Sequence, residues 1–365
     1  MFEHIIGNDH IKKYLLGTVN NEAVGNSLLF AGPEGIGKGL FAEAFAKLLI
    51  CRRDPTGSHR HKIESGNHPD IRIYRPEGKT GMHSIATMRQ FSEEVYRSPF
   101  EAEWKVFILH DADRMLPYSA NALLKTFEEP AQDALIILLS SNPTALLPTV
   151  LSRCRKLFFQ PLKEADVVSF LRQKLDKSDD EAQKIAAMAH GSIGQAIRLI
   201  NTGDHPLRTL LLDFLAKGKA ESYKELSGLA TQISEGIESG KKQVEVEVRK
   251  DLLQVTGVDL SSVHKQSLEK EVEGAVMMHA MNEALVLLEV LHGWYRDLQL
   301  VGTQGSLSLL LHRDRADSIQ QAFERGLSLP LASVQKAIAE TRLSLERSTS
   351  VHICFENLFL KLGFI

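Results

Sequence analysis

The chain has 365 residues, 43% hydrophobic and 24% charged, an ordinary globular balance with room for two or three domains. A net charge of −3 excludes whole-chain attraction to nucleic acid or to a membrane surface, so any DNA contact has to use a local patch. Three cysteines, Cys51, Cys154 and Cys354, lie too far apart for a disulfide framework and suit a reducing cytosol.

The opening MFEHIIGNDH has no basic stretch followed by an apolar run, so no signal peptide is expected. No apolar run reaches about 18 residues, so no membrane-spanning helix is expected either. SLLFAG (27–32) reads as a buried strand and LFAEAFAKLLI (40–50) as the helix after it. Between them lies Gly32, Pro33, Glu34, Gly35, Ile36, Gly37, Lys38, Gly39, which follows the phosphate-loop pattern G-x-x-x-x-G-K-[ST] up to its last position. Glycines let such a loop point its N–H groups at phosphate oxygens at a helix N-terminus, and Lys38 would reach the terminal phosphates. Gly39 removes the hydroxyl that gives magnesium an inner-shell ligand. The plainer alternative is a glycine turn without a ligand.

The segment 51–70 carries Cys51, His59, His61 and His68. The spacing C-x7-H-x-H-x6-H matches no common zinc pattern, so zinc is not expected and a solvated loop is the simpler reading. WKVFILHDAD (104–113) is a second strand ending in acids. A hydrolase of this type needs a magnesium-holding acid followed by a glutamate that polarises water. Asp111 supplies the first, Ala112 stands where the second belongs, and Asp113 points to the other side of an extended chain. SANALLKTFEEP (119–130) is a helix stopped at Pro130, and ALIILLSSN (134–142) is a third strand. Continuous apolar strands separated by helices predict a parallel sheet covered on both faces.

EADVVSFLRQKL, DEAQKIAAMAH and GSIGQAIRLI predict a small helical unit over 161–203, and the pattern stays helical from 204. Met281, Leu285, Leu288, Leu291, Tyr295 and Leu298 recur every three or four residues. The stretch 234–257 is charge-mixed and reads as an exposed helix or a mobile segment, and SVHICFENLFLKLGFI reads as docked.

MFEHIIGNDHIKKYLL, LLFAGPEGIGKG, NALLKTFEEP and LLPTVLSRCRKLFFQPL together resemble bacterial DNA polymerase III clamp-loader subunits of the AAA+ superfamily. The resemblance is dense over roughly residues 1–200 and weaker at GWYRDLQL and the chain end. It implies an α/β AAA+ module of the P-loop type, with a parallel five-stranded sheet (1–160), a helical lid (161–203) and an all-α C-terminal collar domain (204–365). Gly39, Ala112 and Gly194, the last where an ATPase member has a nucleotide-touching arginine, depart from the hydrolysing gamma/tau pattern. Together with GWYRDL they resemble the delta-prime branch.

That resemblance gives Arg153 of LSRC the role of an arginine finger, which stabilises charge on the phosphates of a neighbouring subunit. Ser152 would brace the turn, Cys154 would be a small buried residue, and Arg155 would add charge. Asn142, or Ser141, takes the sensor-1 position. A four-cysteine zinc module is common at 51–70 in the family, and here only Cys51 remains. Lys79, His83 and Arg89 stand where a helix facing enclosed DNA would begin. The implied partners are gamma/tau and delta subunits, and through them the beta sliding clamp and primer-template DNA, in a cytoplasmic DNA-directed DNA polymerase holoenzyme with no membrane. ATP or ADP at the loop is left open, and hydrolysis by this chain is not expected. An ATP-hydrolysing gamma/tau-like subunit and a nucleotide-binding AAA+ module without a motor role are the alternatives.

Overall fold

The computed structural model describes residues 2, 4–21, 23–54, 57–78, 81–129, 131–202, 206–256, 262–347 and 349–365. By spatial contact the chain forms two units: 1–199 with 249–275, and 200–248 with 276–365.

The first unit is built on five parallel strands: β1 (Ser27–Ala31), β2 (Ile71–Tyr74), β3 (Lys105–Leu109), β4 (Ala134–Ser140) and β5 (Arg155–Phe158). Their order is β2-β3-β4-β1-β5, a five-stranded parallel sheet as expected from the sequence. The three central strands are buried at every position because both faces are covered, which is why they read as unbroken apolar runs. The two cores divide each strand by alternation. Leu28, Phe30, Ile108 and Ile137 enter one core with Phe41 and Phe45, whereas Leu29, Phe107 and Leu138 enter the other with Met88 and Phe91.

The helices of the sheet region are α1 (Asp9–Asn20), α2 (Lys38–Ile50), α3 (Ser58–Glu64), α4 (Ile85–Val95), α5 (Pro117–Ala122), α6 (Leu124–Glu128) and α7 (Pro148–Leu151). The single helix expected over 119–130 is two short ones, because the chain turns at Leu123, φ −95 and ψ −6. Pro130 lies outside the described residues. Three further helices follow: α8 (Glu164–Leu175), α9 (Asp179–Met188) and α10 (Ile193–Thr202). A capping box of Ser178 and Glu181 starts α9.

The remaining helices are α11 (Pro206–Lys217), α12 (Tyr223–Thr256), α13 (Ser262–Gly302), α14 (Ala316–Glu324), α15 (Leu331–Glu346) and α16 (Val351–Lys361). The charged stretch 234–257 falls mostly within α12, so it is helix rather than loop. The second unit has its own core, with Leu211, Leu226, Leu291, Trp294, Phe355 and Phe359 among its buried members. One expectation fails here. Val272–Gly302, a 31-residue stretch of α13, is long and apolar enough to cross a membrane by length and composition. Its apolarity has a packing cause: Ala284, Leu288, Leu291, Trp294 and Leu298 are core residues of this unit. In GWYRDL, Asp297 is buried and its carboxylate accepts the N–H groups of Leu311 and His312 at 3.0 and 2.8 Å, pinning the chain after α13.

Candidate functional site

The site lies beyond the carboxyl ends of the adjacent strands β1, β3 and β4, where a doubly covered parallel sheet leaves a crevice. The loop after β1 has the expected phosphate-loop course. A Cβ at Gly32 would stand 2.7 Å from the Phe159 carbonyl, and Gly37 caps α2 at φ 94, so these two positions need glycine. Lys38 is 9% exposed, and its ammonium donates to the carbonyls of Gly32 and Pro33, both at 2.7 Å. The cation thus neutralises the loop's own oxygens. Burial lowers its pKa, against the opposing pull of Asp111, Glu34 and Asp113.

Asp111 follows β3 in a left-handed conformation, φ 48 and ψ 51. Burial, and then the charge of Asp113, raises its pKa. Ala112 is fully buried in the apolar core, so the position where the resemblance expects a water-polarising glutamate opens onto apolar packing. Asp113 accepts a 2.5 Å hydrogen bond from Ser140 Oγ at the end of β4. Asn142, the expected sensor, is exposed, and its Oδ1 accepts from Thr144 Oγ1 at 2.6 Å. The strand-end polar group that meets Asp113 is therefore Ser140. Sequence reading missed it in favour of Ser141 and Asn142, the two residues that follow it.

His110 was also missed. Its carbonyl accepts from His83 Nε2 at 2.7 Å, and its Nδ1 faces Arg75 Nη1 at 3.2 Å. Burial, then Arg75, His83 and Lys38, push its pKa down to about 3, so the ring is neutral near pH 7. His83 is itself fully buried, which removes it from the DNA-facing candidates: its ring serves the core. Arg89 is exposed on α4. Lys79 lies outside the described residues.

The start of α10 touches the loop through backbone and side chains. Gly194 N donates to Gly35 O at 2.9 Å, Ser192 Oγ donates to Glu34 O at 2.9 Å, and Arg198 pairs with Glu34 at 2.6 Å. Gly194, where the resemblance expects an arginine in an ATPase member, thus touches the loop directly.

Arg153 follows α7 with its side chain 31% exposed. Its guanidinium donates to Thr149 O at 2.8 Å and forms an ion pair with Glu128. Ser152 Oγ donates to Thr149 O at 3.0 Å, bracing the turn. Cys154 is buried, which pushes its thiol up to about 12. Arg155 stacks over the Tyr14 ring, 4.5 Å from its centroid.

Of the four metal candidates, the fold brings together His59 and His68, with Glu101 added, while Cys51 and His61 are not in that group. His68 Nε2 lies 2.9 Å from His59 Nδ1 and 3.5 Å from Glu101 Oε1. These donors do not fit a metal. Asp70 N donates to His68 Nδ1 at 3.1 Å, so the neutral ring carries its proton on Nε2, aimed at His59. A ligating nitrogen has to be free of its proton, and its partner nitrogen donates rather than accepts. The group is a hydrogen-bonded brace beside Asp70, whose buried carboxylate accepts the N–H groups of Phe100, Glu101 and Ala102.

Residues 7–163 match the protein family described as DNA polymerase III, delta subunit. The chain is 33% identical over 194 residues to DNA polymerase III subunit delta' of Bacillus subtilis, covering 52% of this chain and 58% of that protein. It is 30% identical over 199 residues to the delta' subunit of Pseudomonas aeruginosa, covering 53% and 61%. With the gamma subunit of Buchnera aphidicola from Acyrthosiphon pisum it shares 29% identity over 210 residues, 54% and 57% of the two chains. The chain therefore spans less than two thirds of the length of these relatives. Among solved structures, a DNA polymerase III gamma-subunit-related protein of Thermotoga maritima aligns at 17% identity and a TM-score of 0.38, covering 92% of this chain and 98% of that one. Residues 7–163, which carry the loop and the five-stranded sheet, thus match the DNA polymerase III delta-subunit family and are similar to delta' and gamma subunits of the clamp loader.

Proposed function

We propose that this chain is a delta-prime-like subunit of a DNA polymerase III clamp loader, one that does not hydrolyse ATP and offers Arg153 to the nucleotide of a neighbouring gamma/tau-type subunit. The observation that carries the reading is the loop with its lysine: Gly39 offers magnesium no ligand, and Lys38 rests on the carbonyls of its own loop. Ala112 in the apolar core and Gly194 against Gly35 agree with it, since each fills a catalytic position with packing.

Arg153 supports the second half. Its guanidinium is at the surface on a braced turn and is balanced by Glu128, a partner that a phosphate can displace. A finger of this kind contributes roughly 10³ to 10⁵ in rate to the subunit it serves. In this reading residues 1–160 form the AAA+ domain, 161–203 its lid and 204–365 a collar that joins gamma/tau and delta subunits. The assembled loader would open the sliding clamp and place it on primed DNA within the cytoplasmic replication machinery.

The test is a loader reconstituted with and without Arg153→Ala. The expected result is clamp- and DNA-stimulated ATPase reduced at least tenfold with assembly intact; an unchanged rate rejects the finger. ATP turnover by the lone chain, abolished by Lys38→Ala, would instead establish the gamma/tau-like alternative.

A further inference from the structure

We propose that the His110 imidazole occupies the magnesium position of this loop, so that the site takes the phosphate of a nucleotide without a metal ion. The proposal concerns the chain's own loop and is independent of the Arg153 reading, whose test is read on a neighbour's nucleotide.

Magnesium at such a loop is held by an oxygen from the residue after the lysine, and that residue is Gly39. The missing hydroxyl is only half of the matter. A Cβ built on Gly39 would lie 3.3 Å from Cε1 of His110, tighter than nine in ten real contacts of that kind, so the ring would have to give way by a few tenths of an ångström. The ring stands in the space into which a serine or threonine side chain would project. Glycine at 39 and the ring at 110 are therefore one feature: the imidazole fits because the side chain is absent. Of the two protein oxygens that would hold magnesium, only that of Asp111 is present; the residue after Lys38 offers none and the ring takes up its space.

The ring also brings its own chemistry. Arg75 can only donate, so the 3.2 Å contact makes His110 Nδ1 an acceptor. The neutral ring then carries its proton on Nε2, one bond from the Cε1 that faces Gly39. That Nε2 is buried and has no hydrogen-bond partner. Buried donors are almost always satisfied, and an unpaired one marks a missing acceptor. A protonated nitrogen has no lone pair for a cation, whereas an anionic oxygen would satisfy it. The rest of the cradle suits the same ligand. The N-terminus of α2 has no side-chain cap on its N–H groups, and Lys38 can exchange two carbonyls for a phosphate. The ligand class is a nucleoside diphosphate or triphosphate, held by Lys38, loop N–H groups and His110 Nε2–H.

The test is titration of the full chain with fluorescent ADP in EDTA and in excess magnesium, with thermal melting to verify each variant's fold. The expected result is equal affinity, within about twofold, in both buffers. His110→Ala should weaken binding at least fivefold in EDTA, and His110→Gln, which keeps an N–H donor, should recover most of it. Gly39→Ser alone should not create magnesium dependence, whereas Gly39→Ser with His110→Ala should. The proposal is overturned if wild type binds at least tenfold tighter with magnesium, if no ADP binds at millimolar concentration, or if His110→Ala binds as wild type. Competition by inorganic phosphate separates the sources: displacement needing tenfold more phosphate than ADP supports a nucleotide, and equal potency overturns that assignment.

Discussion

The backbone N–H of Gly194 donates to the carbonyl of Gly35 at 2.9 Å, and a Cβ on Gly194 would stand 2.7 Å from the Gly35 Cα. Two glycines meet with no side chain between them. Putting back the arginine that an ATPase carries at this position therefore has a steric consequence before any catalytic one. Gly194→Arg is expected to lower stability by about 1–3 kcal/mol, as overpacking does, and Tm by several degrees. It should also quicken proteolysis within 161–203. An unchanged melting curve would show that the α10 helix accommodates the side chain.

Ala112→Glu is the matching experiment in the turn after β3. The residue is fully buried among Leu29, Phe107 and Val150. A carboxylate placed there has no partner, and an unpaired buried charge costs several kcal/mol. The expected outcome is a chain that melts far lower and still shows no ATP turnover. Turnover in this variant, alone or with Gly39→Ser, would mean that the strand can rotate its end toward the loop.

The pH dependence of stability should carry a signature of Asp70. Burial raises its pKa, but the N–H groups of Phe100, Glu101 and Ala102 outweigh that and hold it below its ordinary 3.8. The folded value lies below the unfolded one, so the stabilisation is full above about pH 4 and is lost as pH falls through the lower, folded value. Asp70→Asn should cost about 1–3 kcal/mol at pH 7, because it cannot accept all three bonds as strongly. It should also flatten the stability curve below pH 4, and denaturant titrations at pH 7, 4 and 3 read both effects. An equally steep acid limb in the variant would assign that limb to other groups.

Glu128 competes for the guanidinium of Arg153. The pair is largely solvated, so removing the acid should change stability by no more than about 1 kcal/mol. In a reconstituted loader, Glu128→Gln is expected to keep stimulated ATPase at or above the wild-type rate. Arg153→Lys should fall close to Arg153→Ala, because an ammonium lacks the planar fork. A loss of activity in Glu128→Gln as large as in Arg153→Ala would mean that the carboxylate positions the arginine rather than restraining it.

What was legible in the sequence is what local pattern dictates. The central strands are unbroken apolar runs because both sheet faces are covered, and the loop is announced by spacing between a strand and a helix. The departures at Gly39, Ala112 and Gly194 could be read as absences, but not what fills them. His110 lies 71 residues beyond Gly39 in sequence and was visible only once β3 lay in the same sheet as β1. Glu128 and Glu101 were missed for the same reason, since their partners come from other segments. Ser140 was hidden because the last residue of an apolar strand reads as part of the sheet. His83 misled in the opposite direction: a polar residue in a basic-looking stretch proved to be core.

The alternation along β1 has one more consequence. Leu28 and Phe30 are gripped by one core, Leu29 by the other, and the ladder continues one step past the strand, where Gly32 N donates to Ser140 O at 3.2 Å. The take-off point of the loop is thus gauged from two sides by residues that never meet a ligand. Slipping β1 by a single position would swap both sets of side chains at once, a far larger penalty than any loop mutation. The geometry of the cradle is archived in the sheet, so its chemistry can be rewritten residue by residue while its outline persists.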